Sequence, residues 1–267
     1  MGVTTLNNKI FVVYRELPFI VVYMSQQPYT RLPNISINGL KNPVDIAAGS
    51  SCLYVSDPRS VAIWRVKAAD SKVDQWLSEV EALRVSVTSK GKLVLLVLNK
   101  YQGSMKESNV TYYYDEVHIY SRRAVRIAVI KLPRDITNPQ GFAITTRNTF
   151  VVSHGCELHE MNRVCEVDLN GCILKAFGST PGKYVGQLSN PHSLSLDDEK
   201  RIIVADSHNE RVLLLSKELM LQRVLVTWSP QSPGDAGDPG RLHYDSHSGR
   251  LLVGLDSGHV DIYQLRA

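Results

Sequence analysis

The sequence predicts an all-β fold: a six-bladed β-propeller with four-stranded antiparallel blades, the last blade lacking its own fourth strand. Three observations carry this prediction. First, the chain aligns on itself as six segments, each a pair of short apolar runs about a polar turn. The valine of the second run falls at Val13, Val55, Val97, Val152, Val204 and Val253, with spacings of 42, 42, 55, 52 and 49 residues. Periods of about 40 to 50 residues with several strands each mark a propeller array. Second, the runs alternate apolar and polar residues or are apolar throughout over strand lengths, and helical periodicity is almost absent. Third, a chain with 43% hydrophobic and 21% charged residues can bury a sizeable core.

Taken in order, the first blade (3–39) opens on "VTTLNNKIFVVYRE". The second (40–80) opens on "NPVDIAAGSSCLYVSDPRSVAIWRV", Asn42 to Val66, and its fourth strand falls in Ser71 to Ala82, around "VDQWL". The third (82–132) reads "LRVSVTSKGKLVLLVLN", then the longest insertion, Lys100 to Glu116, then "VHIYS" and "VRIAVI". The fourth (137–178) begins "NPQGFAITTRNTFVVSHG" and continues through "RVCEVD" and "CILKAF". The fifth (189–228) is the clearest copy, "NPHSLSLDDEKRIIVADSHNERVLLLS", completed by "LQRVLV". The sixth (240–267) holds "RLHYDSHSGRLLVGLDSG" and "HVDIYQL" and stops after three strands. Alternation in the first run suits a half-buried pleat, while dense second runs such as "RIIVAD" suit a strand covered on both faces. One blade cannot bury both faces alone, so the six are expected to stack about one axis as a single domain. A fourth strand donated from upstream is expected to close the ring, making the chain the C-terminal part of a longer protein.

A net charge of +4 falls short of the Lys/Arg stripe that argues for nucleic acid on charge alone. The four cysteines, Cys52, Cys156, Cys165 and Cys172, form no C-x-x-C pair and are expected as reduced thiols. The start shows no signal-peptide pattern, and no apolar run reaches the ~18 residues of a membrane span. A soluble, cytoplasmic chain is expected, monomeric unless upstream segments oligomerise, and the sequons at Asn34 and Asn109 then carry no meaning.

Asn190, Pro191, Asp206, Asn209, Arg211 and Val212 together resemble the repeat signature of the NHL family of six-bladed propellers. The second blade keeps the pattern with Ala62 in place of the arginine, and the fourth keeps Arg163-Val164 but carries His154 in place of the aspartate. The resemblance, closest to the TRIM-NHL type of module, implies one of several roles. NHL propellers bind protein or RNA at the C-terminus of TRIM-type ubiquitin ligases, act as extracellular sensors, or form the lyase that completes peptide amidation. Fold alone does not choose among them. No RING or B-box ligand pattern occurs, so ligase chemistry does not reside in this chain.

Propeller geometry puts the start of strand one and the connection from strand two to strand three on one face. His192, Asp206 and His208 share it. Asp206, and Asp57 at the same position of blade two, are expected to close their loops: Asp206 by accepting amides of the Ser207 to Glu210 turn and pairing with Arg211. The resemblance to the lyase would call for zinc-binding histidines at the start of strand one in several blades, but Val44 and Gln140 stand at the positions equivalent to His192. No catalytic residue, metal or cofactor is expected. There is no G-x-S-x-G, the acids of "LDDEK" read as solvated on the opposite face, and inner strands show no lactonase-like Glu/Asn/Asp set.

Arg15, Arg59, His154, His159, His208 and His259 fall on strand two to three connections, hence on the same face as His192, and the histidines suggest a pH-responsive surface. Tyr112, Tyr113 and Tyr114 in the insertion have two readings, an aromatic contact surface or a continuation of strand three. Arg122, Arg123, Arg126, Lys131 and Arg134 form the densest basic stretch, read as charge guarding an outer edge or as an RNA contact. The leading expectation is a non-enzymatic module binding a protein partner through this face. RNA recognition is the alternative, and an enzyme comes third.

Overall fold

A computed structural model describes residues 1–102, 111–145, 149–156, 160–228 and 237–265, with the backbone alone described for 98–102 and 111–114. Blade one is β1 (Gly2–Leu6), β2 (Lys9–Val13), β3 (Phe19–Met24) and β4 (Arg31–Ser36). Blade two is β5 (Asp45–Ala48), β6 (Cys52–Asp57), β7 (Ala62–Lys67) and β8 (Val73–Ser78). Blade three is β9 (Ala82–Val87), β10 (Leu93–Gln102), β11 (Thr111–Tyr120) and β12 (Arg126–Lys131). Blade four is β13 (Pro139–Ile144), β14 (Phe150–His154), β15 (Asn162–Val167) and β16 (Ile173–Ser179). Blade five is β17 (Pro191–Leu196), β18 (Ile202–Asp206), β19 (Arg211–Leu215) and β20 (Leu221–Thr227). Blade six is β21 (Pro239–Asp245), β22 (Arg250–Leu255) and β23 (Val260–Gln264). Each sheet is an antiparallel meander in chain order, as short polar turns between paired strands require. The helical element among the described residues is one 3-10 turn, Ser207–Asn209.

The six anchor valines all lie on the second strand of their blade, and all are buried. That strand sits mid-sheet with neighbouring blades on both faces, which is why its sequence is continuously apolar. The core is six clusters among the described residues, one at each seam between successive blades. Examples are Phe142, Phe150 and Cys165 against Val94, Leu96 and Val117 between blades three and four, and Ile203, Ala205 and Leu214 against Leu251 and Val253 between five and six.

The ring closes by direct packing of β1 on β21 and β22. This closing seam has the thinnest apolar cluster, five buried residues including Val3, Val12 and Leu252. Polar links reinforce it. Thr5 Oγ1 and His243 Nε2 are 2.8 Å apart, Tyr14 Oη donates to the Gly258 carbonyl at 3.0 Å, and Arg250 Nη1 donates to the Ser25 carbonyl at 2.7 Å.

Candidate interaction face and central channel

The face carrying the strand two to three connections is termed the top face; the strand one to two hairpins lie on the bottom face. The end of strand two is tied to the start of its own blade by one side chain in a fixed register position. In blade two Asp57 accepts the amides of Lys41 (2.6 Å), Asn42 (3.0 Å) and Ser60 (3.2 Å). In blade five Asp206 accepts the Ser189 amide at 2.6 Å, Asn209 Nδ2 at 2.8 Å and Arg211 Nε at 2.7 Å. The predicted closure by Asp57, Asp206 and Arg211 is thus present, with one correction. The backbone donor to Asp206 is Ser189, the residue before Asn190-Pro191, and the turn contributes only the Asn209 side chain. Burial pushes the Asp206 carboxyl up, against the Ser189, Asn209 and Arg211 bonds that hold it down.

His154 occupies the same position in blade four. It is 0% exposed, paired in register with Arg163 as Asp206 is with Arg211, and its Nε2 accepts from Arg163 Nε at 3.3 Å. Burial, then the Arg163 charge, pushes it down to about 4, so it serves as a neutral substitute for the aspartate. The expectation that His154 lies on a solvated contact surface is therefore corrected: it is an internal tie. His159 lies outside the described residues.

The cluster of His192, Asp206 and His208 separates into three networks. His192 Nδ1 donates to the Gly240 carbonyl at 2.7 Å, with Arg241 Nη1 3.2 Å away, and burial plus the Arg241 and Arg84 charges pushes the ring down to about 2. His208 is exposed, its Nε2 3.1 Å from Asn190 Nδ2. No acid–base pair forms among the three. Arg15, Arg59 and His259 are exposed on the top face, and His192 is half-buried at its centre.

The largest feature of this face is a two-stranded ribbon. Strand β9 stops pairing with β10 at Ala82 and Val97, and β12 stops pairing with β11 at Lys131 and Glu116. Yet β10 and β11 continue together from Leu98–Asp115 to Gln102–Thr111. Five residue pairs at about 3.4 Å each carry the ribbon roughly 15 Å beyond the blade. Tyr112, Tyr113 and Tyr114 lie on β11 within it, so they do continue strand three; their side chains lie outside the described residues.

Tyr184 and Val185, in the connection between β16 and β17 on the same face, are 82% and 88% exposed and were missed by sequence reasoning. The signal was an aromatic and a β-branched residue inside the polar, glycine-bounded "PGKYVGQ". Arg122, Arg123, Arg126, Lys131 and Arg134 are exposed along the outer edge of blade three, spread from bottom to top. In "LDDEK" a correction is due. Asp197 is buried and holds Arg201, its Oδ2 2.6 Å from Arg201 Nε, while Asp198 accepts Tyr244 Oη at 2.8 Å.

Strand one is the innermost strand of every blade, and the six enclose a channel of about 600 Å³. Close approach there demands glycine at Gly141, whose added Cβ would lie 2.9 Å from Ser193 Cα and Leu194 N of the next blade. Toward the top the channel is crossed by Arg241, which reaches from blade six to blade two and donates through Nη2 to the Val44 carbonyl at 3.3 Å. Among the described residues no three His, Cys, Asp or Glu side chains converge as metal ligands, and no helix is long and apolar enough to cross a membrane.

The family profile of the NHL repeat matches residues 188–213, the blade-five segment holding Asp206 and Arg211. No curated protein sequence matches the chain. Solved structures share its fold. Kuenenia stuttgartiensis hydrazine synthase has a TM-score of 0.67 at 14% identity, covering 99% of this chain and 82% of that one. Catalytically inactive virginiamycin B lyase from Staphylococcus aureus with quinupristin has 0.65 at 9%, covering 99% and 94%. A nidogen/laminin complex has 0.61 at 11%, covering 86% and 79%. At these identities the likeness concerns architecture alone. Repeat, blade count and strand order together identify the chain as a six-bladed β-propeller bearing an NHL repeat in its fifth blade.

Proposed function

We propose that the propeller is a non-enzymatic module that binds a protein partner through its top face. The observation that carries this is the ribbon of Leu98–Gln102 with Thr111–Asp115. A two-stranded ribbon standing alone in water is marginal at best, because both outer edges leave backbone groups unpaired and there is no third strand to share an apolar face. A protein surface supplies both, through edge pairing and through contacts to a tyrosine-rich sequence. Tyr184 and Val185, exposed on the same face, extend the surface with the aromatic and branched side chains that interfaces favour. The fold is shared with nidogen in its laminin complex and with two enzymes, so it is the ribbon and not the fold that favours a partner.

The test is to replace residues 99–114 by Asn-Gly, which joins Leu98 to Asp115 as a tight hairpin. The shortened protein should keep its β-sheet circular dichroism and cooperative unfolding, and lose the partner that the full chain retains from nuclease-treated extract. Retention of the same partner by the shortened protein would overturn the reading. Partners released by nuclease would instead favour RNA, along the edge of Arg122, Arg123, Arg126, Lys131 and Arg134.

A further inference from the structure

The channel contains charge that the top-face reading does not use. Arg84 on β9 and Arg241 on β21 are 6% and 4% exposed, and both line the cavity from opposite blades. Arg241 donates to the Gly240 and Val44 carbonyls, but its Nε has no hydrogen-bond acceptor; the nearest carboxylate oxygen, Asp45 Oδ1, is 3.7 Å away. Arg84 Nη1 donates to the Leu83 carbonyl at 2.9 Å, and its Nε likewise has no partner. Asp45 is the one acid among the described lining residues, and its Oδ2 already accepts the Val85 amide at 3.1 Å. Two buried guanidiniums thus share one carboxylate, which pairs with Arg241 at 3.7 Å without a hydrogen bond to Nε and already accepts the Val85 amide.

A buried cation with an unmade hydrogen bond is costly, and the planar fork of an arginine matches the oxygens of phosphate or carboxylate. The rest of the cavity agrees. Lys90, Lys92 and Lys200 stand exposed on the bottom-face hairpins at its mouth. The acids beside Lys200 are engaged elsewhere, Asp197 and Glu199 with Arg201 and Asp198 with Tyr244. The volume of about 600 Å³ lies in the range of small-molecule pockets. Burial, followed by the like charge of Arg241, pushes Arg84 well below its ordinary value.

We propose that the central channel binds a small molecule carrying a phosphate or carboxylate head, admitted past Lys90, Lys92 and Lys200 from the bottom face and held by Arg84 and Arg241. Top-face binding and channel binding are independent, so either can fail without the other.

The experiment is calorimetric titration of the whole chain with pyrophosphate and, separately, with citrate, each against sodium chloride of matched ionic strength. The two arms distinguish the head groups. Saturable binding of at least one is expected. Arg84→Gln should weaken it about tenfold or more, the worth of a charged hydrogen bond, while raising the melting temperature of the empty protein. Because Arg84→Gln alters the interior, a triple Lys90→Gln, Lys92→Gln, Lys200→Gln variant of exposed positions provides a second measure and should weaken binding severalfold. Lys67→Gln, exposed on blade two outside the cavity, should leave it unchanged. No saturable binding of either probe, affinity unchanged from the unsubstituted chain in both channel variants, equal loss in Lys67→Gln, or binding of an oligonucleotide where pyrophosphate fails would each overturn the proposal.

Discussion

Replacing Asp206 by alanine tests whether the repeat signature is a structural tie. The carboxylate is fully buried and holds three donors: the Ser189 amide, Asn209 Nδ2 and Arg211 Nε. Asn209 Nδ2 also donates to the Gly182 carbonyl at 2.8 Å, and Arg211 donates through its other nitrogens to the Lys183 and Gln187 carbonyls at 3.0 and 3.1 Å. Those donors are therefore held in place around the missing oxygen. The Arg211 side chain is 14% exposed, so its charge loses its partner with little water to replace it. Breaking a buried pair on one side costs about 3–5 kcal/mol. Asp57→Ala removes bonds from backbone amides with no cation involved, Lys41 being exposed, and should cost less, about 1–3 kcal/mol. Equilibrium urea unfolding reads both. The double variant Asp206→Ala, Arg211→Met should recover about 2 kcal/mol of the single-variant loss, since contacting residues couple by amounts of that order. A cost under about 1 kcal/mol for Asp206→Ala, or strict additivity in the double variant, would refute the reasoning.

Four further outcomes are expected. Asp115 at the ribbon base is buried, and burial pushes its carboxyl up to about 6 from 3.8. A raised acid is fully accommodated below pH 3.8 and costs stability as pH rises through 6, so Asp115→Asn should stabilise by about 3 kcal/mol at pH 7 and by only about 0.5 kcal/mol at pH 4, in paired urea titrations. His154 behaves in the opposite sense. Its folded value of about 4 lies below the ordinary 6.5, so the unfolded chain takes the proton first and stability falls between pH 6.5 and 4, by about 3 kcal/mol from this residue. His243, pushed down to about 4 by burial, accepts the Thr5 amide across the closing seam, so hydrogen exchange at pH 5 should rise first in blades one and six. Finally, Cys165 is buried and its thiol is pushed up to about 11 by burial, whereas Cys172 is exposed. Labelling with a thiol reagent at pH 8 should modify Cys172 in native protein and reach Cys165 only on unfolding.

The sequence by itself determined the blade count, the order of strands, the anchor valines and the two aspartate ties. These are local signals: a period of two within a run, a turn at a fixed offset, and a carboxylate recurring at one register position. Other features required the ring. His154 read as part of a pH-responsive surface because its burial depends on blades packing on both sides of β14, which its neighbours in sequence do not reveal. His192, Asp206 and His208 looked like one cluster because proximity along a hairpin does not say which way each side chain turns. Asp197 read as solvated until Arg201 and the adjoining blade enclosed it. Arg84 and Arg241 drew no attention at all, since each lies in an ordinary alternating strand and the two are far apart in the chain. Strand one is the innermost edge of its sheet, so residues from six distant segments meet at the axis. Alternation in a sequence reports the two faces of a sheet, whereas which residues share that axis is decided only by closure of the ring.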